Sequence, residues 1–146
     1  LRTDILINAM VNSAKEKGKI EVYNSGIHRP LLAMKDCLRA FEYLVEDKNN
    51  HKGTFNLASF NCTVDEAANT VAEIMQVPVE VKEGQPIIDE NVKLNSRAYD
   101  FTINCSKFKS HFNFQFEESI PTICEELLDN WDKMHKGKRI VQINYE

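Results

Sequence analysis

Stretches with helical apolar spacing alternate with short β-like runs along the chain, and this alternation constrains the fold more than any other feature of the sequence. It predicts a mixed α/β chain rather than a bundle, a sandwich or a barrel. A first helix is expected over residues 4–17, capped by Thr3 or Asp4, with Ile5, Leu6, Ala9 and Met10 on its apolar face and Gly18 as its stop. Residues 20–23 alternate like a strand. Asn24-Ser25-Gly26 marks a turn, and His28-Arg29-Pro30 leads into an apolar stretch over 31–34. Asp36 is then expected to cap a helix whose Leu38, Phe41, Leu44 and Val45 form one inward stripe. Residues 46–53 read as a solvated loop.

The second half repeats the alternation. Residues 54–58 suggest a strand, and Thr63 with Glu66 forms a capping box for a helix burying Val71, Ile74 and Met75. Pro78 ends that helix, 79–81 read as a strand, 83–95 as an irregular polar loop, and 99–103 as a further strand. A short helix is expected over 106–112. A longer one covers 118–134, with Ile120, Ile123, Leu127 and Trp131 inward, and residues 135–146 form a tail with a small basic patch.

Composition narrows the function classes. The 146 residues suit one domain. With 18 basic against 22 acidic residues, the net charge of −4 argues against a nucleic-acid binder. No apolar run approaches the ~18 residues of a membrane span, and no charged-then-apolar leader is seen. The start on Leu1, directly before a helix, is expected of a fragment of something longer. Cys37, Cys62, Cys105 and Cys124 are widely spaced, with no CxxC and no histidine at metal-ligand spacing, so no metal site is expected. They read as reduced thiols of a cytoplasmic protein, and the sequons at Asn61 and Asn104 as coincidence.

Catalytic signatures are missing. There is no nucleophile elbow, P-loop, HExxH or GxGxxG, and His28, His51, His111 and His135 are scattered. No catalytic residue is assigned. Binding groups are better represented. Arg29 and Arg97 stand at expected loop–strand junctions, where a guanidinium fork suits a phosphate, and Asn8 could donate to the same anion. On the residues alone, ion-pairing surface arginines and an ordinary helix asparagine are the favoured description.

The segments carry a family resemblance. Leu1-Arg2-Thr3-Asp4, Asn8-Ala9-Met10-Val11 and Gly18-Lys19-Ile20-Glu21-Val22-Tyr23 resemble the C-terminal half of the extended short-chain dehydrogenase/reductases, the NAD-dependent sugar-nucleotide epimerases and dehydratases. Arg29-Pro30-Leu31-Leu32-Ala33-Met34-Lys35-Asp36 is similar to that family's RPxxxVxD segment, and Gly53-Thr54-Phe55-Asn56-Leu57-Ala58 to its GxxYNxG strand. Ser106-Lys107, Asn113-Phe114-Gln115-Phe116 and Glu118-Ser119-Ile120 resemble its closing pattern.

The resemblance implies the C-terminal portion of an extended Rossmann-type fold, with mixed helices and short strands. Residues 1–134 would be its substrate-binding part. It implies a nucleoside-diphosphate sugar as substrate, with Asn8 on the diphosphate, Arg29 and Arg97 clamping the phosphates and Tyr23 against the base. NAD or NADP would belong to the whole enzyme and not to this chain, because the glycine-rich fingerprint and the Tyr-xxx-Lys pair lie in the family's other half. A homodimer is a further implication. The competing expectation is a non-catalytic protein-interaction or nucleotide-sugar-binding module.

Overall fold

The computed structural model describes residues 5–47, 52–82 and 100–135. Helix α1 (Leu6–Lys17) leads into strand β1 (Ile20–Tyr23), followed by β2 (His28–Leu31), α2 (Met34–Glu46), β3 (Phe60–Thr63), α3 (Val64–Met75) and β4 (Val79–Lys82). Helices α4 (Ser106–Phe112), α5 (Ile120–Asp129) and α6 (Trp131–His135) complete the order. The strands form two pairs: β1 runs parallel to β4, with Ile20 opposite Val79, and β2 runs antiparallel to β3, with Arg29 opposite Cys62.

The local reasons are readable. Gly18 takes a left-handed φ of 66° and returns its amide to the Ala14 carbonyl, ending α1 where glycine carries no Cβ penalty. At α3 the expected capping box is present: the Glu66 amide donates to Thr63 Oγ1 at 3.0 Å, and the Thr63 amide to Glu66 Oε2 at 2.8 Å. On the paired strands Glu21 stands opposite Glu80, a like-charge pair. Lys19 bridges both at 3.2 and 3.0 Å; hydrogen bonding to Lys19 holds the Glu21 carboxyl below its usual range, and hydrogen bonding to Lys82 and then Lys19 does the same for Glu80.

Two cores result. The larger gathers Val11 of α1, Ile20 of β1, Ala67, Ala68 and Val71 of α3, and Cys124 and Leu127 of α5. The smaller is aromatic: Ala40, Phe108 and Phe114 are buried among Phe55, Phe112 and Phe116, largely in edge-on contacts.

Several expectations shift. Helix α1 buries Ile7, Met10, Val11 and Ala14; Ile5 is exposed, and Thr3 and Asp4 lie outside the described residues. No strand forms over 54–58. The strand instead falls on 60–63, where β2 provides an antiparallel partner. Residues 100–103 are also irregular, because the pairing there runs through a side chain: Asn61 Oδ1 accepts from the Ile103 amide at 2.8 Å, and Asn61 Nδ2 donates to the Ile103 carbonyl at 3.0 Å. Helix α3 ends on Gln76, in the left-handed conformation, ahead of Pro78. The expected last helix is two, since Asn130 falls outside helical geometry between α5 and α6. The loop over 83–95 and the tail beyond His135 lie outside the described residues.

Helix α2 departs most. Asp36 is not its cap; Ala33 is, and Asp36 lies inside the first turn, fully buried. Its Oδ1 accepts from Arg39 Nη1 and the Glu117 amide, and its Oδ2 from the Glu118 amide, at 3.0 to 3.2 Å. The carboxylate thus ties α2 to the chain entering α5. The stripe of Leu38, Phe41, Leu44 and Val45 faces outward, not inward.

Candidate functional site

Of the four predicted binding residues, Asn8 lies on α1, Tyr23 on β1 and Arg29 on β2, and Arg97 falls outside the described residues. Asn8 stands in the first turn of α1, half-buried, on the wall of a cavity of about 380 Å³. That cavity lies between the start of α1, the β2–α2 junction and α5, with Leu31, Met34 and Glu126 among its lining residues. Its lining is largely apolar, so Asn8 and Glu126 are its main polar groups.

Arg29 lies on β2, half-buried and not itself among the lining residues. Side chains alternate along a strand, so Arg29 falls on the same face of β2 as Leu31, which lines the cavity and packs on the larger core. Its Nη1 donates to the His28 carbonyl at 2.8 Å, and its Cζ lies 5.7 Å from the centre of the Phe101 ring.

Residues 100–103 run beside β2 and hold this edge. Asp100 Oδ1 accepts from the His28 amide at 2.6 Å and lies 2.9 Å from His28 Nδ1. The donated amide, then the imidazole, holds the Asp100 carboxyl below its usual value. Sequence reasoning missed Asp100 and Phe101. The alternation over 99–103 marked the segment, but nothing local indicated that β2 was its neighbour. Glu126 was missed as well; its Oε2 lies 3.9 Å from Lys35 Nζ beside the cavity.

Tyr23 ends β1 opposite Lys82, half-buried, with Asn24 turning the chain at a positive φ of 52°. It is not among the residues lining the Asn8 cavity. Arg97 lies outside the described residues. Of the predicted residues, Asn8 lines the cavity, and Arg29 stands two residues from Leu31, which lines it too.

Two of the cysteines are poorly suited to nucleophilic chemistry. Burial pushes the Cys62 thiol up and that of Cys124 up to about 11, which keeps both protonated at neutral pH. Among the described residues no cluster of three metal-ligating side chains occurs, and no helix is long and apolar enough to cross a membrane.

The fold is that of the C-terminal part of Rossmann-type sugar-nucleotide epimerases and dehydratases. The chain is similar to dTDP-glucose 4,6-dehydratase from Bacillus anthracis, solved with NAD: TM-score 0.68, 18% identity, covering 92% of this chain and 41% of that one. An epimerase from Methanothermobacter thermautotrophicus superposes with TM-score 0.72 at 13% identity, over 93% of this chain and 40% of its own. UDP-glucuronic acid 4-epimerase from Bacillus cereus, solved with UDP-glucuronic acid and NAD, gives TM-score 0.69 at 13% identity, over 91% and 41%. This chain thus spans about two fifths of the solved structures it matches. No protein-family model matches it, and no curated protein matches it in sequence.

A dinucleotide pyrophosphate needs a glycine-rich turn between a strand and a helix. Among the described residues, the strand-to-helix junctions are Leu32-Ala33 before α2 and the direct Thr63–Val64 step before α3; neither has a glycine, so these junctions do not fit NAD.

Proposed function

We propose that this chain is the substrate-binding part of an NAD(P)-dependent epimerase, dehydratase or reductase acting on a nucleoside-diphosphate sugar. The dinucleotide-binding half, with its Tyr-xxx-Lys pair, lies outside these 146 residues. The observation that carries the reading is Arg29, a half-buried guanidinium on β2, two residues along the strand from Leu31, which lines a cavity together with Asn8. The fold agrees with it, because solved structures of the same architecture include one holding UDP-glucuronic acid.

In this reading Arg29 clamps the diphosphate, with Phe101 holding the guanidinium plane, and Asn8 adds a hydrogen bond at the cavity mouth. Arg97, three residues before Asp100 in sequence, is the second clamp, and Tyr23 borders the base. None of these is assigned a chemical step. Four free cysteines suit a reducing, cytoplasmic compartment, and a homodimer belongs to the same proposal.

Calorimetric titration with UDP and dTDP tests it. Arg29→Ala should weaken binding by about 2–3 kcal/mol, the scale of a charge-assisted hydrogen-bonded contact. Equal affinity in wild type and variant would remove Arg29 from the site. A chain that neither nucleotide binds or thermally stabilises would favour a protein-interaction module instead.

A further inference from the structure

Residues 100–103 lie against the β2–β3 pair without forming a strand, and they are fastened there at two points. One fastening is neutral: the Asn61 side chain accepts from the Ile103 amide and donates to the Ile103 carbonyl. The other is ionic. Asp100 Oδ1 accepts the His28 amide at 2.6 Å and stands 2.9 Å from Nδ1 of the same residue, so backbone and ring of His28 converge on one oxygen. Between the two points lies Phe101, its ring centre 5.7 Å from the Arg29 guanidinium carbon. Phe101 is 49% exposed and belongs to neither core, so its position rests on the fastened ends of the segment rather than on packing.

The two fastenings differ in what can loosen them. An amide side chain keeps its donors and acceptor at every ordinary pH. A carboxylate only accepts, so the His28 Nδ1 that faces it carries the proton, and protonating the other ring nitrogen turns a hydrogen bond into an ion pair. Imidazole is the side chain whose charge ordinarily changes between about pH 5 and pH 8, whereas carboxylates and guanidinium groups ordinarily keep theirs. Those on the elements beside His28 are few. Arg29 follows it on β2 and acts on Asp100 through its charge. Asp65 and Glu66 open α3 next to Thr63, the strand partner of His28, where Glu66 accepts the Thr63 amide.

We propose that His28 is a positioning residue of the Arg29 site: its imidazolium draws Asp100 onto β2, sets Phe101 against the Arg29 guanidinium, and so raises the affinity for a nucleoside-diphosphate sugar as the pH falls. The proposal rests on the functional reading above. Its sense follows from charge. With the ring neutral, Asp100 meets an uncharged donor; with the ring protonated it meets a cation, and the fastened segment is favoured. A guanidinium already held against an aromatic face has less freedom to lose on binding an anion. Both side chains of the pair are about half exposed, so the effect is a modest one.

Calorimetric titration with UDP-glucuronic acid tests this, because its phosphate esters and carboxylate keep a constant charge over the range. The chain should bind about threefold more tightly at about pH 5.5 than at about pH 8.5, the scale of an exposed ion pair. His28→Asn can still donate to Asp100 but cannot titrate, and it should bind with one affinity at both values. Asp100→Asn removes the other charge and should flatten the profile in the same way; it gives the comparison should His28→Asn fail to fold. In the ligand-free ¹⁵N-labelled chain, the Phe101 amide shift should titrate with the His28 ring and stay flat in His28→Asn.

Equal wild-type affinities at the two pH values would overturn the proposal. So would a pH dependence that survives in His28→Asn, or a Phe101 amide that does not titrate in the wild-type chain. In each of these cases binding itself leaves the functional reading standing. UDP-glucuronic acid bound at neither pH would overturn that reading, and this proposal with it.

Discussion

Asp36 shows what one residue can hold together. Its buried carboxylate accepts two backbone amides, from Glu117 and Glu118, and the Arg39 guanidinium. Removing it strands three donors, and a broken buried pair commonly costs about 3 kcal/mol or more. Asp36→Ala should therefore lower stability by about that amount in urea unfolding, and a loss below about 1 kcal/mol would contradict this role. The sequence shows an acid at a helix start, and a cap is the local explanation for it. The partners lie some eighty positions away, so no local pattern could disclose them. Arg29 is picked out by its own segment instead: it stands before Pro30, which fixes the local backbone, at the entry to an apolar run.

At the scale of elements, what depends on neighbours in sequence was readable and what depends on neighbours in space was not. The α3 capping box joins residues three apart, and the structure contains it. Thr63→Ala should destabilise the chain by about 1–2 kcal/mol, as N-cap truncations do. No change in thermal midpoint would show that α3 is held by packing alone. The stripe of α2 was equally visible, but periodicity says only that a face is apolar and not what covers it. Similarly, alternation over 99–103 suggests a strand, whereas the Asn61 side chain takes the place of a ladder partner.

At the scale of the whole molecule, two cores among the described residues support two short strand pairs, and an isolated two-stranded pair is marginal without packing. The α/β class follows from the alternation of segments, and the resemblance to the epimerases and dehydratases from segments spread over the chain. The juxtaposition of β2, α1 and residues 100–103 does not, because it is made by tertiary packing. That juxtaposition is the basis of the functional account. It is tested most directly by amide NMR of the ¹⁵N-labelled chain titrated with UDP. The account predicts shifts grouped at Asn8, Arg29, Leu31 and Phe101, absent in Arg29→Ala and not produced by NAD. Shifts confined to other surfaces, or none at millimolar UDP, would contradict it.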